Sequence, residues 1–392
     1  MLSFWEKDSF YSDADIAIIG GGLMGLWTAL EIKKQSPNIV VTILERSTTP
    51  FGASTRNAGF ACFGSLTELL SDEKNIGTNA MLEIVEMRYK GIEKIKSTFS
   101  SKQIDLDECG GYEALGPINW AGEINDRINY INQLLLSITG KANCFSNATN
   151  QMSSIGLKNF NHLIFNPLEA GIHSGKLMSA LTHLAIEKGI RILNGIEIIG
   201  WEKLNDKICI KSTQKKSIKA NQLLICTNGF TNELIPTLPI EPARGQIILT
   251  SPIKGLGTKG TYHFDEGFYY WRNIGDRILL GGARNSDFTN ERTTNFDGSD
   301  LIRKKLFEFL ITHLDTTEPI IIEQSWSGIM GFTENKLPLF QRIEPNVSAS
   351  IACNGMGVAL TPIFAEKVAF ELLISFNCQL AVCLLFLIEY YL

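Results

Sequence analysis

The sequence predicts an α/β protein in which a parallel-sheet domain, running in several pieces, is interleaved with an antiparallel-sheet α+β domain. Three observations predict it. Asp15-Ile16-Ala17-Ile18-Ile19 is an apolar run that stops at glycines, and a helix-spaced pattern and a second apolar run follow it, a complete strand–helix–strand unit. A third buried-strand run, Gln222 to Cys226, returns far along the chain. Alternating stretches at 244–250, 261–272 and 276–284 read as antiparallel strands. Because the buried strand comes back after an excursion, the two domains must interleave. The expected division is 13–75, 160–235 and 320–392 for the first domain, with 76–159 and 236–319 for the second.

The elements follow in order. Leu23, Leu26, Trp27 and Leu30 recur on one face of a helix. Lys33 and Lys34 suit its C-terminus electrostatically, and Pro37 stops it. Ile39 to Leu44 is the second buried strand, ending at Glu45. Residues 66–100 and 122–138 read as helix, with 109–116 a turn and strand between them. Helix returns from Ser174 to Lys188, followed by a strand pattern from Ile190 to Trp201 and a polar hairpin. A last strand and helix lie near 349–353 and 361–375, where Cys353 reads as a buried strand residue.

Composition removes several function classes. At 392 residues, with 44% hydrophobic and 20% charged residues, the chain can bury two medium cores. Its 36 Lys+Arg against 41 Asp+Glu give a formal charge of −5, and the densest basic stretch is only Lys211 to Lys219, which argues against nucleic acid. The 8 cysteines contain no C-x-x-C pair, so neither zinc nor a disulfide framework is expected, and no metal is assigned. The acidic N-terminus does not read as a signal peptide, and a cytoplasmic location is the default expectation. The stretch 368–388 carries one charge, Glu371, and is long enough to span a bilayer. Its polar interruptions favour a packed helix, with membrane contact the alternative.

Gly20-x-Gly22-x-x-Gly25 places three glycines at a strand-to-helix turn. The first permits the tight turn, the second lets backbone approach a pyrophosphate, and the third lets helix and strand pack closely. Unpaired N–H groups and the positive end of the helix dipole then face the phosphates. Glu45 ends the next strand, where a carboxylate accepts hydrogen bonds from ribose hydroxyls and disfavours a 2′-phosphate. Together these read as a dinucleotide site. The following loop, Phe51 to Phe60, brings small residues, hydroxyls and Arg56 to a point where they can line the rest of it.

At this point the sequence resembles the D-amino-acid-oxidase-like FAD-dependent oxidoreductases, from Asp15 to about Ser375. The carriers are Ile18-Ile-Gly-Gly-Gly-Leu-Met-Gly25 with Leu44-Glu45-Arg46, Gly52-Ala-Ser-Thr-Arg-Asn57, His173-Ser-Gly-Lys-Leu177, Cys226-Thr-Asn-Gly229 and Pro242-Ala-Arg-Gly-Gln246. Later ones are Leu279-Leu-Gly-Gly282, Trp326-Ser-Gly328, Phe332-Thr333 and Asn354-Gly-Met-Gly357. The resemblance implies a Rossmann-like FAD-binding domain interleaved with an antiparallel-sheet substrate domain. It implies that Gly20, Gly22, Leu23, Met24 and Gly25 hold the pyrophosphate, Glu45 the ribose, and Arg46 flanks the adenine. Ser54 and Thr55 would reach the phosphates, and Arg56, Asn57 and Gly59 would lie along the isoalloxazine. Ile198 would meet adenine through its backbone. Thr227, Asn228, Gly229 and Gly328 belong to the same set, and Gly355, Met356 and Gly357 would bring N–H groups to the far end of the flavin.

Departures from the family pattern shape the rest. Gly328 to Thr333 holds no Arg to bind a substrate carboxylate, and Val358-Ala359-Leu360 holds no Lys after the last Gly-x-Gly. Ile329 and Met330 stand where the covalent branch keeps a Cys, so FAD is expected to be non-covalent and the substrate not a simple α-amino acid. Substrate contacts are then expected from the aromatic-rich second domain: His263, Tyr270, Arg272 and Arg284, the arginines for an anionic group and His263 as a proton acceptor. The implied reaction oxidises a C–N bond of a small amine or amino-acid derivative by hydride transfer to flavin. It gives an imine that hydrolyses, with oxygen or another acceptor taking the electrons. The alternatives are a membrane-associated FAD dehydrogenase serving quinone and a non-catalytic flavin-binding subunit of a hetero-oligomer.

Overall fold

The computed structural model describes residues 2–117, 124–214, 217–351 and 353–391, with side chains undescribed at 217 and from 377 on. Residues 122–123 of the expected second helix and the Lys215-Lys216 pair lie outside the described residues. One sheet is built on parallel strands in the order Val347–Ile351, Ser217–Ile225, Ala14–Ile19, Val41–Glu45 and Arg191–Asn194. Leu339–Glu344 adds an antiparallel edge, and the ribbon Ile198–Leu204 with Lys207–Ser212 pairs onto Ser217–Ile225. The period-2 alternation of Ala14–Ile19 divides its side chains between two cores. Ile16 and Ile18 pack under the helices Leu23–Gln35, Ser174–Glu187 and Gly357–Tyr391, whereas Ala17 and Ile19 pack against Leu223, Ile225 and the ribbon.

The second sheet is ordered Ile322–Phe332, Glu241–Thr250, Arg277–Gly282, Tyr269–Ile274, Thr261–Phe264, Gly111–Leu115, His162–Asn166 and Ser146–Asn147. All its pairings are antiparallel except Thr261–Phe264 with Gly111–Leu115. An aromatic core of Phe160, Tyr262, Trp271 and Phe309 fills the space between it and the helix Asp300–His313.

Several details depart from the sequence reading. Ile322–Phe332 and His162–Asn166 were expected with the dinucleotide domain, yet both are hydrogen-bonded into the antiparallel sheet. The stretch 261–272 is a hairpin, because Asp265, Glu266 and Gly267 take φ of 57°, 52° and 80° and turn the chain back. The 190–201 pattern is two strands parted at Gly195, and the polar hairpin shares its second strand with the buried run 222–226. Cys353 lies beyond the strand that ends at Ile351.

In the last helix, Val368, Ala369, Leu372, Leu373 and Phe376 pack into the core beneath the parallel sheet. The first half of the stretch 368–388 is therefore a packed helix, while the side chains of its second half lie outside the described residues. Among the described residues, no helix is long and apolar enough to cross a membrane.

Candidate active site

A continuous cleft runs between the two sheets, with ≈ 1870 Å³ of empty space, part of it open solvent. It begins at the glycine turn. Gly20 has φ 107°, and a Cβ there would sit 2.6 Å from the Cys226 carbonyl oxygen. A Cβ on Gly25 would run into the Gly20 carbonyl oxygen, and one on Gly22 would come 2.9 Å from Ser54 Oγ. Each glycine thus occupies a place where only backbone fits. Gly22 caps the helix, Leu23 N–H donates to Ser54 Oγ at 3.0 Å, and Gly22, Leu23, Met24 and Ser54 line the cleft.

Glu45 is fixed at the end of its strand: Gly21 N–H donates to Oε2 at 2.9 Å and Ser47 N–H to Oε1 at 3.0 Å. It flanks the turn without lining the cleft. Arg46 lies outside, over the Phe230 ring at 4.0 Å and 3.4 Å from Glu233. The short helix Ala53–Arg56 presents Ser54, Arg56 and Asn57 to the cleft. Arg56 stacks on Phe51 at 3.8 Å and donates to Ser327 O at 2.7 Å. Asn57 donates to Ala53 O and Ser54 O, and its Oδ1 accepts from Gly59 N–H and Ser174 Oγ.

Three predicted positions face elsewhere. Thr55 donates to Pro50 O at 2.8 Å, Gly59 packs against the Ile172 carbonyl, and Ile198 opens a strand under the second core. Thr227 and Gly229 serve the turn behind the cleft, with Gly229 against the Met330 carbonyl. Asn228 reaches the cleft, and its Oδ1 is buried with no hydrogen-bond partner among the described residues. Gly328 lines the wall, where a Cβ would press Arg56 Cβ at 3.1 Å. Gly355, Met356 and Gly357 close the far end at the start of the last helix, with Cys353 beside them. Burial pushes the Cys353 thiol up to about 12.

The opposite wall is a row across adjacent strands. Glu113, His263, Tyr270 and Gly281 are register partners in turn, and a Cβ on Gly281 would strike the Tyr270 ring, so the glycine lets the phenol lie over it. Burial pushes the Tyr270 phenol up to about 12, and its hydroxyl has no hydrogen-bond partner among the described residues. Phe60 meets both His263 and Tyr270 edge-on, at 5.2 and 6.0 Å.

The two arginines part company. Arg272 does not line the cleft; its Nη1 donates to Gly59 O at 2.6 Å and Ile172 O at 3.1 Å, which ties the loops behind His263 together. Arg284 does line it. Its guanidinium sits 4.6 Å from the Phe332 ring centre and 5.0 Å from that of Phe288, with neither hydrogen bond nor ion pair among the described residues. Burial lowers its pKa, and the charges of Glu241 and Glu291, both already paired with other arginines, offset this only in part.

Sequence reasoning missed four groups here. Cys62 lies beside His263 in the cleft, and Glu169 Oε2 accepts from His263 Nε2 at 3.3 Å from behind. Arg88 with Glu68, and Lys336 with Asp72 at 2.9 Å, border the mouth as closed ion pairs. A lone glutamate inside the apolar run Leu168-Glu-Ala-Gly-Ile172 was the available signal for Glu169.

A backbone cradle at a helix N-terminus, a held carboxylate at the next strand end, and a cleft leading from them to a polar wall define a dinucleotide-cofactor oxidoreductase site. The chain belongs to the FAD dependent oxidoreductase family DAO, whose model matches residues 15–371. Among curated relatives it is similar to a "Probable oxidoreductase OrdL" of Haemophilus influenzae, 23% identical over 378 residues, covering 91% of this chain and 82% of that one. It is also similar to the "Gamma-glutamylputrescine oxidoreductase" of Escherichia coli, 24% identical over 379 residues with 91% and 82% covered. The fold is that of the L-proline dehydrogenase from P. horikoshii, with a TM-score of 0.74 and 18% identity over 91% of this chain and 92% of that one. The protein is thus an FAD-dependent oxidoreductase. The cradle fits the cofactor on its own evidence: Gly22, Leu23 and Ser54 line the cleft at the helix N-terminus, where a Cβ on Gly22 would come 2.9 Å from Ser54 Oγ.

Proposed function

We propose that the protein oxidises the C–N bond of an amine or amino-acid derivative that also carries a carboxylate. The observation that carries this reading is Arg284, a half-buried, cleft-facing guanidinium with neither hydrogen bond nor ion pair among the described residues. A planar cation in that state is built for an anion that arrives with the ligand. It stands on the strand-end after Gly282, away from the late Gly328–Thr333 stretch, so a carboxylate held there sits differently from that of a simple α-amino acid in the family's pattern.

The residues divide the work. The turn at Gly20, Gly22 and Gly25, with Ser54, would hold the pyrophosphate, and Glu45 the ribose. Arg56, Asn57, Gly328 and the N–H groups at Gly355–Gly357 would bracket the ring. Bound FAD supplies the two-electron acceptor. Arg284 binds the carboxylate, and the Tyr270 hydroxyl, protonated at working pH, donates to the same ligand. Phe60, Phe268 and Phe332 close apolar surface around the reacting carbon and exclude water. Ile329 and Met330 offer no nucleophile, and burial keeps the cleft-lining thiols of Cys62 and Cys353 protonated, which supports a non-covalent cofactor.

Anaerobic mixing of the yellow holoprotein with amines tests the reading. N-substituted amino acids and amines bearing a carboxylate should bleach the flavin absorbance, and their decarboxylated counterparts should not. Equal bleaching by the carboxylate-free amines, or a protein that takes up no FAD, overturns it.

A further inference from the structure

Beneath the cleft lies a buried polar cluster that neither the cofactor cradle nor Arg284 uses. His263, Glu169 and Cys62 bring one ligand-type atom each to within 4.8 Å of one another. His263 is 5% exposed and Glu169 2%. His263 Nε2 donates to Glu169 Oε2 at 3.3 Å.

The site for this carboxylate is built in. A Cβ on Gly111 would run into the Glu169 carboxyl group, so the glycine makes its room. The imidazole is held on its other sides too. Phe60 stands edge-on to the ring at 5.2 Å, and Tyr270 is its register partner on the adjoining strand. The second nearby carboxylate, Glu113, is the register partner on the other side, but it is already engaged. Ser65 Oγ donates to it at 2.9 Å, Thr67 N–H at 3.1 Å, and Thr67 Oγ1 also donates. The Cys62 thiol is pushed up to about 11 by burial, with Glu169 and Glu68 adding to the rise, and so brings no charge. Among the described residues, Glu169 is therefore the carboxylate left to pair with the ring.

We propose that Glu169 is a positioning residue that locks a proton on His263, so that His263 meets the cleft as a hydrogen-bond donor and accepts no proton from the substrate. This replaces the role of proton acceptor that the sequence suggests for His263. Burial alone would lower the imidazole; the charge of the Glu169 carboxylate is the leading cause that reverses this and places it well above its ordinary value. The amine must then enter already neutral, deprotonated by solvent. That last step rests on the amine reading above; the locked proton does not.

The chain has 5 histidines, so ring-carbon NMR of the histidine-labelled holoprotein resolves this one, with His263→Asn assigning its signal. Through the ordinary histidine range and above it, His263 should stay at the imidazolium position. Glu169→Gln should bring its midpoint down by about one pH unit or more, and Glu169→Asp should keep the wild-type behaviour. In kcat/KM against pH, the wild type should show no inflection near the ordinary histidine value, and Glu169→Gln should acquire one. If Glu169→Gln alone folds poorly, His263→Asn/Glu169→Gln removes both charges and should recover stability. A wild-type His263 that titrates near 6.5 overturns the proposal. So does a Glu169→Gln protein with an unmoved signal, or a stoichiometric metal lost on His263→Asn. A failure to oxidise amines leaves the NMR result standing and counts against the substrate reading alone.

Discussion

The wall of the cleft that starts at Gly20 is shaped by side-chain atoms the sequence leaves out, whereas the wall that ends at Arg284 is shaped by side chains whose partners are left out. On the first wall, Gly20, Gly22 and Gly25 leave room that backbone and Ser54 then fill to close contact. On the second, Arg284 and the Tyr270 hydroxyl have no hydrogen-bond or ion-pair partner among the described residues, while Arg272, on the strand before, donates to Gly59 O, Ile172 O and Asn273 O. A site made of missing atoms accepts one shape and announces itself as a motif. A site made of unsatisfied ones accepts a chemistry, and its meaning depends on which neighbours are present.

Substitutions at five positions can break or sharpen that contrast. The largest effect is expected at the pair behind the second wall. Glu169→Ala leaves a buried imidazolium without its counter-ion, and should cost about 3–5 kcal/mol in a denaturant titration. The sign of its pH dependence follows from the raised histidine. Its stabilisation is complete below the unfolded value of about 6.5 and is lost as pH rises through the higher folded value. The gap between wild type and Glu169→Gln should therefore be widest at acid to neutral pH and close as the medium becomes alkaline.

Arg284→Ala comes next, with an expected fall of about 100-fold in kcat/KM for a carboxylate-bearing amine, mostly in KM, and little change in melting temperature. Arg272→Met should do the reverse. It strands two carbonyls and should lower stability by about 1–3 kcal/mol while leaving KM near wild type. If Arg272→Met raised KM more than Arg284→Ala, the division between the two arginines would fail.

The first wall predicts the smallest and sharpest contrast. Gly25→Ala should cost about 1–3 kcal/mol and weaken FAD retention, since its Cβ meets backbone that cannot swing away. Gly52→Ala, in the same neighbourhood but with nothing within 4 Å of its Cβ, should stay within about 0.5 kcal/mol of wild type. Similar losses at both glycines would show that close packing is not what holds the turn.

The same contrast decides what was legible in the sequence. The turn, Glu45 and the parallel strands were readable because local spacing and period-2 burial dictate them. The 261–272 stretch looked like one strand because no glycine pair marks its reversal; it depends on Asp265 and Glu266 accepting left-handed backbone. Ile322–Phe332 carries exposed polar residues toward its start, so its place at the edge of the antiparallel sheet shows only in pairing. Arg272 and Arg284 were equivalent as letters. Whether a guanidinium is spent on carbonyls or left for a ligand is settled by residues far away in the chain, here Gly59, Ile172, Phe288 and Phe332.

The central strand Ala14–Ile19 has its neighbours at 41–45 and 217–225, and the next strand in the sheet comes from 347–351. Gly91 is pressed so closely by the Ala359 carbonyl that the helix starting at Gly357 docks only against a finished partner. During synthesis, then, the glycine turn is made long before the strand 347–351 and the helix from Gly357 that complete its sheet and the opposite end of its cleft. A complete cradle for the cofactor therefore awaits elements that are distant in the chain, the condition under which long-range pairing is slow.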